Sequence, residues 1–178
     1  LSIALARLGH RDSIPVIANY GGDKLAAVSA LSMLGGPEAV DELIEIQPDS
    51  DFVRDDVALA LRHIGKDGIR PLVDLLMTAQ NPSQAMGPTL VLMNVPEAAP
   101  LLAASIYEQL GKDEPSVLLL TQAALVLGYI GNDGQVPALS KLLDFPEFEV
   151  RDQAAWSLER IGTEMANEAL TASQHPVS

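Results

Sequence analysis

The sequence predicts an all-α fold, a right-handed α-solenoid of stacked helical hairpins, on three observations. One thirteen-residue helix is written twice, as "VRDDVALALRHIG" from Val53 and "VRDQAAWSLERIG" from Val150, with seven identical positions. Helical segments end on glycine at Gly9, Gly35, Gly65, Gly131 and Gly162, each with apolar residues one, four and eight positions earlier. Aromatics make up only 4% of the chain while Ala and Leu abound, which suits helices packed through small and medium side chains.

The apolar sets are Leu8, Leu5 and Leu1; Leu34, Leu31 and Ala27; Ile64, Leu61 and Val57; Ile130, Leu127 and Ala123; and Ile161, Leu158 and Ala154. These offsets put three side chains on one helical stripe. The closing glycine suits a left-handed C-cap, where a β-carbon would be strained. A second amphipathic segment follows each time, as in "HRDSIPVIANY", "KDGIRPLVDLL" and "NDGQVPALSKLL". Pro15, Pro71 and Pro137 each stand six residues after their glycine, a position read as the first turn of the second helix, where few N–H groups have partners to lose. The unit is helix, tight turn, helix. No single unit can bury its own stripe, so neighbours must stack.

The whole chain, 1–178, reads as one array with repeats at approximately 1–20, 23–47, 51–79, 83–110, 116–144 and 148–172, and a polar tail at 173–178. One copy is degenerate. "SQAMGPTLVLMNVPEAAPLL" keeps the register with Val95 at the glycine position, but Gly87-Pro88 inside its first helix is expected to bend or delay that helix. "EQLGKDEPS", Glu108 to Ser116, reads as an insertion before the next copy.

"VRDDVALALRHIGKDGIRPLVDLL" and "EVRDQAAWSLERIG" resemble the short HEAT-like repeats first named from phycobilisome lyases. In that pattern Val-Arg opens the first helix, Ala and Leu fill it, Ile-Gly closes it and a proline starts the second. The resemblance spans nearly the whole chain and implies the solenoid; being made of packing residues, it implies no activity. The Val-Arg pair occurs at Val53-Arg54 and Val150-Arg151, with Lys24, Gln84 and Leu120 at the arginine position elsewhere.

A formal charge of −13 argues against a nucleic-acid groove and against an anionic membrane surface, and reads as serving a basic partner or simple solubility. The absence of cysteine excludes disulfides, thiolate metal sites and cysteine nucleophiles, and fits a reducing, cytoplasmic setting. The chain opens at Leu1 inside a helical pattern, which reads as a piece of a longer solenoid, whereas "TASQHPVS" reads as a terminal tail. "PSVLLLTQAALVLGYIGN" is eighteen residues without a charge, yet its repeat register and its Gln122 and Thr121 argue against a membrane span.

Charge is uneven, with 19 charged residues in 1–74, 5 in 75–131 and 11 in 132–178. Central repeats covered on both sides need little charge; alternatively Leu92, Met93, Leu118, Leu125 and Tyr129 form an exposed apolar patch for a partner or for self-association through the uncharged middle repeats. Glu38, Asp41, Glu42 and Glu45 stand at spacings of three and four on a second helix and share a face. Asp74 is expected to extend that stripe. With the second helices taken as the concave lining, this is the candidate binding surface for a basic protein or peptide. Asp51, Asp55 and Asp56 read instead as helix-cap and dipole residues.

Catalytic chemistry is absent from the pattern. His10, His63 and His175 are followed by Arg11, Ile64 and Pro176, not by the glutamate of the His-Glu pairs with which HEAT-like deoxyhypusine hydroxylases hold iron. "PDSD", Pro48 to Asp51, lacks the glycine and distal glutamate of a calcium loop and reads as a helix cap. HEAT-like DNA glycosylases need a basic track, and Trp156 reads as inter-repeat packing. No metal and no cofactor is expected. The sequence therefore points to a non-catalytic protein–protein interaction module, a scaffold, adaptor or inhibitor, with a phycobilin lyase or lyase accessory subunit as the alternative.

Overall fold

The computed structural model describes residues 2–7, 9, 11–18, 23–46 and 51–174. Among them the chain forms α-helices α1 (Ser2–Arg7), α2 (Ile14–Ala18), α3 (Lys24–Leu34), α4 (Pro37–Glu45), α5 (Asp51–Ile64), α6 (Lys66–Met77), α7 (Pro82–Leu92), α8 (Ala99–Leu110), α9 (Val117–Ile130), α10 (Val136–Leu142), α11 (Phe148–Ile161) and α12 (Glu164–Gln174). The fold is an all-α solenoid with no strand among the described residues.

Helix starts follow local chemistry. Asp23 caps α3 by accepting from the Ala26 N–H at 3.1 Å, and Asn81 caps α7 through Gln84 N–H at 3.0 Å. Ser116 caps α9 at its Leu119 N–H, and Gln109, buried at the end of α8, accepts from the Ser116 N–H. The insertion is thus the last turn of α8 and a loop that Gln109 ties down. The stripe then supplies the core. Ala27, Leu31, Leu34, Val57, Leu61, Ala123, Leu127, Ala154 and Leu158 are buried, and Ile64, Ile130 and Ile161 pack against them half-buried. Each leucine that becomes fully inaccessible contributes about 1.5–3 kcal/mol. Leu1 and Leu8 lie outside the described residues.

The helices form two layers. The first helices, α1, α3, α5, α7, α9 and α11, pack each on the next, and the second helices, α2 to α12, do likewise. Consecutive first helices approach more closely than consecutive second helices. Small residues allow this. Ser157, fully buried on α11, donates to the Ala124 carbonyl of α9 at 2.7 Å, and a β-carbon on Gly128 would lie 3.1 Å from the Ser157 Cα. The first helices are therefore the more closely packed layer.

Other local expectations also change. Gly35, Gly65 and Gly162 have φ of 62°, 87° and 66°, but Gly131 has φ −77° and ends α9 in extended backbone. Glycine is needed there for space, since a β-carbon would stand 2.5 Å from the Leu127 carbonyl oxygen. Pro71 lies inside α6, because that helix begins a turn early at Lys66. Buried Gly68 permits the early start: a β-carbon would meet the Leu61 carbonyl oxygen of α5 at 2.0 Å.

The proline of the degenerate copy does not delay α7, which begins at Pro82 and runs through Gly87-Pro88 to Leu92. Pro88 has no N–H to give to the Gln84 carbonyl, four residues earlier. Arg54 fills that vacancy. Buried on α5, it donates from Nε to the Gln84 carbonyl at 3.0 Å, and from its guanidinium to Thr78 Oγ1 at 3.2 Å and to the Leu75 carbonyl at the end of α6. Asp55 sits against Gly87, where a β-carbon would come within 1.8 Å of its Oδ1. Asp55, read as a dipole complement, is thus an inter-repeat contact as well.

Among the described residues no single helix is long and apolar enough to cross a membrane; α7 and residues 96–110 qualify only as a pair broken by 116°. Their apolar side chains Leu92, Leu102 and Ile106 are wholly buried in the stack.

Arg54→Met keeps the aliphatic stem and removes donors from two backbone carbonyls, so urea unfolding followed by circular dichroism should show a loss of about 2–3 kcal/mol. Arg151 donates to the Phe145 and Pro146 carbonyls of an adjacent loop at 2.7 and 2.5 Å and is less buried. Arg151→Met should lose only about 1 kcal/mol, and equal losses would refute the special role of Arg54.

Candidate functional site

Two surfaces carry the chemistry, one on each layer. The first is α4. Pro37 opens this helix and Glu38 falls in its first turn, where a carboxylate complements the dipole. Ala39, Val40 and Leu43 are buried, which fixes the rotation of the helix. Glu38, Asp41 and Glu45 are consequently exposed and Glu42 is half-buried, so all four form one stripe along the outside of the second layer. None of the four is ion-paired among the described residues. Asp74 on α6 is exposed but paired with Arg70, whose Nε lies 3.2 Å away. Asp74 also joins Ile44, Ile46, Pro71 and Leu75 around a 250 Å³ groove between α4 and α6, floored by Leu43, Val57 and Leu61.

The second surface is the open face of the first layer, opposite the buried stripe. Met33 on α3, Leu59 on α5, Met86 and Leu90 on α7, Tyr129 on α9 and Trp156 on α11 are all exposed there. Met33 and Tyr129 stand two residues before their glycines, and Leu59 and Trp156 six, positions that lie across the helix from the buried stripe. Between α3 and α5 an open cleft of 620 Å³ is lined by Ser29, Ser32, Asp56, Leu59, Arg62 and His63. At the other end the Tyr129 and Trp156 rings pack 5.7 Å apart at 44°. The Arg160 guanidinium covers both, 4.1 Å from the Tyr129 centroid and 5.5 Å from that of Trp156.

The apolar patch expected from the uncharged middle is therefore redrawn. Leu92 is fully buried, Met93 and Leu118 pack against the core, Leu125 is half-buried, and Tyr129 alone of the five is exposed. Met33, Leu59, Met86 and Leu90 were missed, although for Met33 and Leu59 the offset from the closing glycine is a usable signal. Trp156 does pack between repeats, since a β-carbon on Gly128 would lie 2.8 Å from its ring, and it keeps 37% of its surface exposed. His63 is exposed on α5. His10, His175 and Pro48 to Ser50 lie outside the described residues. Among the described residues no group of three or more His, Cys, Asp or Glu side chains is placed to hold a metal ion.

A family model described as HEAT repeats matches residues 103–176, and one described as PBS lyase HEAT-like repeat matches 23–47. The chain is a HEAT-like repeat protein. Both matched segments fall on hairpins whose HEAT-like stripe is buried. Among solved structures, human deoxyhypusine hydroxylase in complex with glycerol is similar to 99% of this chain and 72% of its own, at 21% identity and a TM-score of 0.49. An engineered protein is similar over 92% of this chain and 85% of its own, at 19% identity and a TM-score of 0.47. No curated protein sequence matches.

The stacked cluster is testable by itself. A double-mutant cycle between Tyr129→Leu and Arg160→Met, read from urea unfolding, should return a coupling of about 0.5–1 kcal/mol, the range for a cation–π contact at an exposed site. Strict additivity would show that Arg160 merely overlies the rings.

Proposed function

We propose that this chain is a non-catalytic protein-interaction module, acting in the cytoplasm as a scaffold, adaptor or inhibitor, that binds a basic partner on α4. The observation that carries this reading is the stripe of Glu38, Asp41, Glu42 and Glu45, without an intramolecular cation among the described residues, beside a groove whose walls include exposed Ile44. Unneutralised carboxylates on one helix face attract a cationic surface and speed its encounter, while an adjoining apolar groove gives an anchor to hold it. Asp74, half-committed to Arg70, borders the groove and favours a lysine or arginine near the anchor. The PBS lyase match covers α3 and α4, where Ala27, Leu31 and Leu43 are core residues, so it speaks for packing and not for a bilin.

Changing Glu38, Asp41, Glu42 and Glu45 together to their amide isosteres, with Gln or Asn, should leave the helical circular dichroism unchanged. In pull-downs from source-cell lysate, basic proteins held by the parent at low salt and released by high salt should be lost. Association with such a partner should slow about tenfold at low ionic strength and by little at high salt, because steering is screened. Equal capture by parent and variant at low salt would remove α4 as the binding surface.

A further inference from the structure

We infer that the groove between α4 and α6 takes one large apolar side chain from a short basic segment of the partner, a leucine- or phenylalanine-sized residue with lysines or arginines on either side. This inference rests on the reading of α4 as the acidic binding surface, and adds to it what the partner must carry besides charge.

Size decides what enters. The groove has a volume of 250 Å³, with Leu43, Val57 and Leu61 as its floor and Ile44, Pro71 and Leu75 in its walls. That is below the roughly 300–1,000 Å³ of small-molecule pockets and above the cavity of about 150 Å³ that holds one benzene ring. One leucine or phenylalanine side chain fits; a free ligand of ordinary size does not. Ile44 keeps 55% of its surface exposed at the rim. An apolar side chain seated against it removes apolar surface of both molecules from water.

Charge selects what flanks that side chain. Asp74 stands in the α6 wall. On the α4 side, exposed Asp41 lies one turn before Ile44 and exposed Glu45 directly after it, so carboxylates border the groove along both helices. The nearby arginines are engaged within the chain. Arg54, which reaches the groove from α5, donates to the Gln84 and Leu75 carbonyls and to Thr78 Oγ1. Arg70 pairs with Asp74 at 3.2 Å. Lys66, the other cation of α6, stands in its first turn, about 12 Å along the helix from Asp74. A second copy of this chain, at net charge −13, would set carboxylates against carboxylates here. A basic segment meets no such conflict, and its cations reach Asp74 on one side and Asp41 and Glu45 on the other. Charge alone would accept any polycation; the groove adds the demand for an anchor.

The probe is a fluorescein-labelled nine-residue peptide with a central leucine and lysines on both sides of it, read by fluorescence anisotropy at low salt. One control carries serine in place of the leucine, and another carries glutamates in place of the lysines. The leucine peptide should bind, the serine peptide about tenfold more weakly, and the glutamate peptide not at all. Ile44→Ser, at an exposed site, should weaken the leucine peptide about fivefold, leave the serine peptide unchanged and keep the circular dichroism. Arg70→Gln, which releases Asp74, should tighten both lysine peptides about threefold; unchanged affinity there would strike Asp74 from the flanking carboxylates. The amide variant of Glu38, Asp41, Glu42 and Glu45 should weaken both lysine peptides alike. Leucine and serine peptides held equally by the parent, or a leucine peptide indifferent to Ile44→Ser, would overturn the anchor and leave the acidic surface standing. Failure of both lysine peptides to bind, or equal binding by the amide variant, would remove the acidic surface and this inference with it.

Discussion

Where α11 crosses α9, Ser157 donates to the Ala124 carbonyl and Gly128 puts no side chain between the two backbones, so the helices lie closer than leucine-lined helices do. That contact, with Ala123 and Ala154 buried beside it, governs what surrounds it. With the two helices this close, the side chains opposite the stripe meet, as the Tyr129 and Trp156 rings do at 5.7 Å. Thr89 to Gln122, hydrogen-bonded at 3.0 Å, marks the corresponding crossing of α7 on α9.

The degenerate repeat shows how a solenoid tolerates a poor unit. Proline at position 88 and glycine at 87 would weaken an isolated helix, the first by deleting a donor and the second by deleting a side chain. Here each loss is met by the preceding first helix. Arg54 donates to the carbonyl that proline leaves open, and Asp55 occupies the space beside Gly87. Two consecutive residues of α5 thus complete α7, which makes α5 and α7 more interdependent than the helical pattern alone requires. In a structure whose stability is summed from neighbouring interfaces, such a pair localises cooperativity between two specific repeats.

The stripe was legible because it is periodic: packing into the core at one, four and eight residues before Gly35, Gly65, Gly131 and Gly162 follows from helical geometry without knowledge of the neighbours. Details that depend on the neighbours were not legible. Gly131 looks like the other closing glycines, yet it is required by the nearness of the Leu127 carbonyl and not by a left-handed backbone. Pro71 has the same offset as Pro15 and Pro137, but Gly68 lets α6 begin a turn early, so the proline ends up inside the helix. Leu92 belongs to an uncharged stretch that offers no sign of which of its residues face the next repeat. The orientation of α4 could be read, since Ala39, Val40 and Leu43 fix it; which layer packs more closely could not, because it depends on distances between helices.

The separation of the two surfaces has an electrostatic consequence. At physiological ionic strength the screening length is about 8 Å, whereas two layers of helices are roughly 20 Å thick. The field of the α4 carboxylates therefore acts on the side of the second helices and leaves the open face of the first layer governed by its own charges, Asp56 and Arg62 in the α3–α5 cleft and Arg160 over the rings. An unneutralised acidic stripe and a row of exposed apolar side chains thus stand on different sides of one thin wall. Binding on one side influences the other only by changing the spacing of the first helices, and that spacing is held by the Ser157 and Arg54 ties. A rigid wall of this kind favours independent occupancy, so any coupling between its two faces must pass through those side chains.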